Sequence, residues 1–195
     1  MKKFIENYLK ETASIAKNID IKSLNRIIDG IYKVREKKGR IFFLGVGGSA
    51  AHASHAVNDF RKLANIECYA PTDNVSELTA RTNDEGWKWV FQDWLKVSRL
   101  NKKDIIFIFS VGGGNVKKKV SENLVQAIKL AKNKKVKIYG IVGKNGGYTK
   151  KAAEACICIP SKNSKLITPH TEGFAAVIWH LIISHPRIQK NKTKW

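Results

Sequence analysis

The sequence predicts an α/β domain in which a mostly parallel sheet is covered by helices on both faces. Three observations favour this class: short apolar runs alternate with helical patterns, the runs are rich in β-branched and aromatic residues, and two of them end in glycine-rich turns. With 195 residues, 43% of them apolar, the chain is long enough for one domain with a sizeable core.

The first half of the chain is expected to open with two helices, because apolar residues recur at helical spacing in residues 3–18 and 22–37. Neither helix has an evident place in a minimal three-layer domain, so we expect both to pack against another subunit. The elements expected next are a strand at 40–45, a helix at 49–63, a strand at 67–70 and a mostly helical segment at 74–99.

The second half continues the alternation of strands and helices. The expected elements are a strand at 104–109, a helix at 115–133, a strand at 136–142, a short helix at 148–154, a strand at 155–159 and a helix at 169–185. No linker or low-complexity segment interrupts the pattern. We therefore expect a single domain over 1–195, with oligomerisation helices at 1–37, an α/β core at 38–186 and a basic tail at 187–195.

Two glycine-rich turns of similar design lie between a strand and a helix. The first contains Gly45, Gly47, Gly48 and Ser49, and the second contains Ser110, Gly112, Gly113, Gly114 and Asn115. Bare backbone N–H groups at the positive end of a helix bind anions, most often phosphate. Each turn alone is also compatible with a simple tight connection, but two at neighbouring strand ends would bracket a phosphorylated small molecule.

Two predicted helices carry histidines together with carboxylates. His55 and Asp59 are four residues apart and share a helical face, with His52 at its border. In the last helix, Glu172 lies near the start and His180 lies within an apolar run. Such groups can hold a divalent metal ion or divide acid and base roles, although an isolated histidine at either position would usually be structural.

Composition limits the classes of function. The net charge of +20 would suit a nucleic-acid binder, but the lysines are spread along the chain and no nucleic-acid motif accompanies them, so that partner is not expected. The sequence shows no run of about 18 apolar residues and no apolar leader, which predicts a cytoplasmic protein without a membrane span. Cys68, Cys156 and Cys158 are expected to be small buried apolar residues.

Taken together, these motifs resemble the sugar isomerase (SIS) domain family, and within it the phosphoheptose isomerases. The resemblance covers nearly the whole chain. Its elements are the two leading helices, the turn from Gly45 to Ser49, His55 with Asp59, Asn83 with Asp84, the turn at Ser110, and Glu172 with His180. Their order and spacing are specific, although each piece alone is weak.

The resemblance implies a flavodoxin-like sheet, a homotetramer with active sites at subunit interfaces, and an aldose–ketose isomerase. The implied reaction interconverts sedoheptulose 7-phosphate and D-glycero-D-manno-heptose 7-phosphate for the heptose of surface polysaccharides. The implied metal centre, with Zn²⁺, is His55, Asp59, Glu172 and His180, of which Asp59, Glu172 and His180 are also the implied catalytic groups. The implied phosphate and sugar contacts are Gly47, Gly48, Ser49, Asp84, Ser110, Gly112, Gly113, Gly114 and Asn115.

The chain also departs from the family pattern. Its second turn, Ser110-Val-Gly-Gly-Gly-Asn115, lacks several hydroxyl groups that the family usually has there, and Glu172 stands where a glutamine is common. A non-catalytic sugar-phosphate-binding or protein-binding regulator therefore stays open as an alternative. A nucleotide-dependent oxidoreductase is disfavoured, because the segment from Cys68 to Pro71 offers no acidic residue at the end of the second strand.

Overall fold

The computed structural model describes residues 2–143 and 145–193 and consists of one five-stranded sheet with helices on both faces. The strands are β1 (Ile41–Leu44), β2 (Cys68–Tyr69), β3 (Ile105–Ser110), β4 (Lys137–Val142) and β5 (Ala155–Cys158). The helices are α1 (Lys2–Lys17), α2 (Ile21–Glu36), α3 (Gly48–Ala64), α4 (Val75–Asp84), α5 (Val90–Val97), α6 (Glu122–Asn133), α7 (Gly147–Ala152) and α8 (Ile167–Ser184). A short 3₁₀ turn, Ser164–Leu166, leads into α8.

The strand order is β2-β1-β3-β4-β5, and every pair is parallel. This is the flavodoxin-like order, in which the direction of winding reverses between β1 and β3. Leu44 of β1 pairs with Ile108 of β3, so the two glycine turns follow neighbouring strands. The predicted fold class is confirmed, and the turns lie where open α/β sheets bind their ligands.

Two apolar cores, one on each face of the sheet, account for the three layers. One joins the sheet to α2, α3 and α8, and the other joins it to α5, α6 and α7. Helix α2 belongs to the first core, where it buries Leu24, Ile27, Ile28, Ile31 and Val34. The premise that α2 has no place within the domain is therefore wrong, because β5 and its neighbours provide its apolar contact within the chain; packing of the opening helices against another subunit stays a prediction.

Helix α1 is attached to the domain mainly through its second half. Ile15 is buried in the core, and the Tyr8 ring stacks on the buried His170 ring at 4.5 Å. Three apolar side chains nearer its start remain exposed, namely Phe4, Ile5 and Leu9. Part of the apolar surface that motivated the expectation of an oligomer therefore lies on α1.

The helix expected from residue 115 begins seven residues later, at Glu122. Residues 115–120 instead form a tight turn closed by an antiparallel bridge between Asn115 and Val120. The Asn115 side chain stabilises this turn, since its Oδ1 accepts a hydrogen bond from Lys118 N at 2.9 Å. Lys119 and Ser121 have positive φ angles of 51° and 50°, which are incompatible with a right-handed helix.

One stretch, Ser164–Ser184, is long and apolar enough to cross a membrane, contrary to the sequence expectation. It comprises the 3₁₀ turn and α8. Within this domain α8 packs against α3 and buries Phe174, Ile178, Trp179 and Ile182 in the core. The same length and composition are found in buried core helices of globular domains.

Candidate active site

The first glycine turn leads directly into α3. Gly47 caps the helix with φ +62° and ψ −129°, a conformation that favours glycine. A Cβ atom on Gly47 would meet nothing within 4 Å, so the helix N-terminus is open on the side of this residue. Ser49 follows in the first turn of the helix and is buried. The unpaired N–H groups of this helix end can therefore be reached by an anion.

The second turn uses much of its hydrogen-bonding capacity for its own structure. Ser110 Oγ accepts a hydrogen bond from Gly113 N at 3.0 Å. Thr149 donates its N–H and its hydroxyl to Gly113 O, at 2.8 and 2.9 Å, and Tyr148 N donates to Gly114 O at 2.8 Å. Gly113 and Gly114 are consequently buried against the start of α7, whereas Gly112 is exposed.

Gly113 is required for this packing. Its φ is +67°, and a Cβ atom there would lie 2.0 Å from Gly146 O. A side chain at Gly113 would collide with backbone before it reached a bound anion, so the position does not report cleanly on ligand binding. A substitution at Gly112 reports more directly on ligand binding, because a Cβ atom there would meet nothing within 4 Å.

Two residues that were predicted to contact the substrate, Asn115 and Asp84, lie at exposed positions outside the buried part of either glycine turn. Asn115 is exposed at the base of the 115–120 turn, with its Oδ1 engaged by Lys118 N. Asp84 is exposed at the end of α4, where it accepts a hydrogen bond from Asn83 Nδ2 at 2.8 Å. Helix α4 packs against α5, and Leu78 of α4 contacts the core on the opposite face of the sheet from α3 and α8.

Helices α3 and α8 bring together His55, Asp59 and His180. Asp59 Oδ2 lies 3.9 Å from His55 Nε2 and 4.0 Å from His180 Nε2, and one ligand atom from each residue lies within 4.8 Å of the others. The Asp59 carboxylate is largely buried, while the two imidazoles are exposed. Asn58 Nδ2 donates to the other carboxylate oxygen at 2.8 Å, which leaves Oδ2 turned toward the imidazoles.

The orientation of the His180 ring is fixed by its own helix. Its Nδ1 lies 2.8 Å from the Ala176 carbonyl oxygen, so Nδ1 carries the proton and the Nε2 lone pair faces Asp59 and His55. The buried Trp179 ring stacks on His180 at 3.5 Å and meets the His55 ring edge-on at 4.7 Å. Histidines that bind a metal through one ring nitrogen typically donate the other ring N–H to a backbone carbonyl, which fixes the orientation of the ring.

Glu172, the fourth expected ligand, lies outside this group. Its carboxylate sits at the start of α3, where Oε1 would be 2.6 Å from a Cβ atom on Gly48. Eight residues correspond to about 2.2 helical turns, which rotates Glu172 by about 80° around α8 from His180. Burial lowers the pKa of His52, although the nearby Glu172 carboxylate opposes that shift.

Two imidazoles and one carboxylate on the packed helices α3 and α8 suit either of two chemistries. They can bind a divalent metal ion with an open coordination position, or they can pass protons between a carboxylate and an imidazole. Sequence reasoning did not identify Asn58, Ala176 or Trp179. Trp179 could have been noticed because it is adjacent to His180 in the sequence. Ala176 gave no signal, because every helical histidine has a backbone carbonyl four residues before it.

Comparison with known proteins agrees with the fold and with the expected family. The family described as SIS domain matches residues 6–143. A phosphoheptose isomerase of Nitratiruptor sp. is 32% identical over 150 residues, which are 74% of each chain. The phosphoheptose isomerase of Rhodospirillum rubrum is 30% identical over 149 residues, covering 74% of this chain and 73% of the relative.

The solved structure of phosphoheptose isomerase from Neisseria gonorrhoeae has the same fold. It superposes with a TM-score of 0.80 at 20% identity, covering 93% of this chain and 97% of that one. The family match spans well over half of the chain, and both relatives named above are phosphoheptose isomerases. This chain therefore belongs to the SIS domain family, as an isomerase.

Proposed function

We propose that this protein is a ketose–aldose isomerase of a phosphorylated sugar, with sedoheptulose 7-phosphate and D-glycero-D-manno-heptose 7-phosphate as the substrate pair. The product would feed the synthesis of heptose for surface polysaccharides. The relatives named phosphoheptose isomerase support this substrate. The observation that carries the proposal is the grouping of His55, Asp59 and His180 on two helices whose sequence positions are over a hundred residues apart.

The substrate phosphate is proposed to bind between the two glycine turns. Gly47, Gly48 and Ser49 would supply the helix N-terminus, and the exposed N–H of Gly112 would complete the site from β3. Ser110, Gly113 and Gly114 would act by shaping the turn, because their polar groups already bond within it. Asn115 retains its amide NH₂ group for the ligand, since only its Oδ1 is engaged.

Isomerisation moves a proton between C1 and C2 through an enediol. In our proposal Asp59 Oδ2 removes the proton from one carbon and returns it to the other on the same face of the sugar. His180 Nε2 would exchange a proton with the sugar oxygens, since its Nδ1 is held by Ala176. Glu172 of α8, whose carboxylate lies beside the start of α3, would bind a hydroxyl group of the sugar between its phosphate and its reacting carbons.

As an alternative to these acid and base roles, the same three side chains fit a Zn²⁺ ion, since a lone pair that binds a metal is not free to accept a proton. Imidazole nitrogen and carboxylate oxygen are the donors that zinc prefers, and the Ala176 carbonyl orients one imidazole for that role. His55, Asp59 and His180 would hold the ion, with Glu172 as an additional ligand after a side-chain movement. When bound, the ion would polarise the sugar carbonyl and stabilise the negative charge that develops on its oxygen.

We further propose a homotetramer in the cytoplasm in which a neighbouring subunit completes each site. His55 and His180 have side chains 56% and 48% exposed, which leaves the centre open to solvent on one side. Asp84 lies on the opposite layer of the sheet and could line the sugar site of a neighbouring subunit. The exposed apolar residues of α1 would form subunit contacts, and light scattering that shows only monomer at micromolar concentration would contradict this assembly.

An aldose–ketose assay with phosphorylated heptoses, hexoses and pentoses tests the substrate, with zinc added or removed by a chelator. We expect turnover of the heptose phosphate pair in preference to the shorter sugars. If only another sugar phosphate is turned over, the proposed substrate is wrong and the proposed reaction class is retained. Tight binding of sugar phosphates without any turnover would favour the regulatory alternative, for which the self-bonded second turn is the supporting observation.

A further inference from the structure

Two cysteines lie on the edge strand β5 with one residue between them. Ala155 and Ile157 point into the core beside α2, so Cys156 and Cys158 face the other side of the sheet, toward α7. Both thiols are half-buried, whereas the sequence predicted buried apolar residues. Cys68, by contrast, is fully buried as expected.

The two thiols are not equivalent. The Lys150 side chain passes beside Cys158, because Lys150 Cδ and Cys158 Sγ each lie 3.0 Å from the place of a Cβ atom on Gly146. Interaction with the Cys156 thiol lowers the pKa of Cys158 although burial opposes the shift, and the Lys150 ammonium group acts in the same direction, while the Asp20 carboxylate opposes it. The interaction between the two thiols, together with burial, raises the pKa of Cys156. The thiolate is the nucleophilic form of cysteine, so the pair has one reactive member.

Cys158 also touches the segment that holds the second glycine turn. Its Sγ lies 3.0 Å from the place of a Cβ atom on Gly146. The backbone of Gly146 packs directly against Gly113, and Tyr148 and Thr149 of α7 donate hydrogen bonds to Gly114 and Gly113. A group added to Cys158 Sγ would therefore displace Gly146 and the start of α7, which pack against the glycine turn that follows β3.

We propose that Cys158 is a site of thiol modification by small disulfides and that its modification weakens the second glycine turn. In this reaction Cys158 Sγ attacks one sulfur of the disulfide. A new S–S bond forms on Cys158, the S–S bond of the reagent breaks, and its other half leaves as a thiolate, so the reagent disulfide is itself the oxidant. The effect on substrate binding rests on the proposed function, whereas the site of modification does not.

The first experiment treats the native protein with oxidised glutathione and follows each cysteine by peptide mass spectrometry. We expect Cys158 to react first and Cys68 to remain unmodified. Cys156→Ala and Lys150→Gln should each slow the reaction of Cys158 near neutral pH, because the thiolate fraction falls as the pKa rises; the loss is less than about tenfold per pKa unit, because the thiolate of a thiol with a higher pKa is more nucleophilic. Lys151→Gln, an exposed neighbour, is the matched control and should react as the native protein does. Preferential reaction of Cys156, or equal rates in all variants, would overturn the proposal.

The second experiment measures the coupling to the turn. Amide hydrogen exchange at residues 110–120 should accelerate in the glutathionylated protein, and dithiothreitol should reverse the change. Where isomerase activity is present, KM should rise on modification, and Cys158→Ser should be insensitive to the reagent. Unchanged exchange in fully modified protein would overturn the coupling. Because exchange needs no substrate, this result is separate from any failure of the proposed isomerase activity.

Discussion

The packing of the second glycine turn makes a quantitative prediction for Gly113→Ala. The new Cβ atom would stand 2.0 Å from Gly146 O, and the residue would have to keep a φ of +67°. A non-glycine residue in the left-handed region costs about 1–2 kcal/mol, and forcing an extra carbon into a packed site costs about 1–3 kcal/mol. We therefore expect Gly113→Ala to lower the free energy of unfolding by about 2–5 kcal/mol.

Gly112→Ala is the matched control, one residue away in the same turn. A Cβ atom there would meet nothing within 4 Å, and no positive φ is required. Its free energy of unfolding should stay within about 1 kcal/mol of the native value. Urea unfolding, with m-values compared, measures both variants. Equal stability of the two variants would refute the assignment of Gly113 to packing.

Three further predictions concern the phosphate, the sheet and α1. Gly112→Val should raise KM for the sugar phosphate without unfolding the protein; an unchanged KM would remove Gly112 from the site. Asp104→Ala should destabilise the fold by about 3–5 kcal/mol in urea unfolding, because the buried Asp104 carboxylate pairs with Arg40 at 2.8 Å and joins the starts of β1 and β3. The pKa of Glu11 in α1 is lowered: burial would raise it, but hydrogen bonds from residues 161–163 outweigh burial. Helix α1 should therefore lose stability as pH falls below 4.5, the ordinary pKa of a glutamate side chain. Glu11→Gln should make the stability of α1 less dependent on pH, as measured by hydrogen exchange at several pH values.

The sequence was sufficient to predict the parallel sheet and its strands. Buried parallel strands appear as continuous apolar runs, and β3 and β4 are each recognisable in that way, within one residue of the predicted bounds. The adjacency of β1 and β3 followed from the family resemblance. His55 and Asp59 could be paired from helical spacing, because four residues return to the same face of any helix.

Other features depended on contacts that no local pattern encodes. The start of α6 was misplaced because Asn115 stabilises a turn through Lys118, while the lysines that follow are compatible with a helix. The apolar face of α2 looks like surplus surface until β5 is placed beside it. The position of Glu172 depends on the rotation of α8 against α3, which spacing within one helix does not determine.

The central claim is that His55, Asp59 and His180 form the catalytic centre. It is tested most directly by kcat/KM for the heptose phosphate pair in His180→Ala, with His185→Ala as the control, because His185 lies at the end of α8 outside the group. Loss of an acid–base group costs about 10²–10⁴-fold in rate, and we expect that loss for His180→Ala with circular dichroism unchanged and near-native activity in the control. Near-native activity of His180→Ala would contradict the account, with or without zinc.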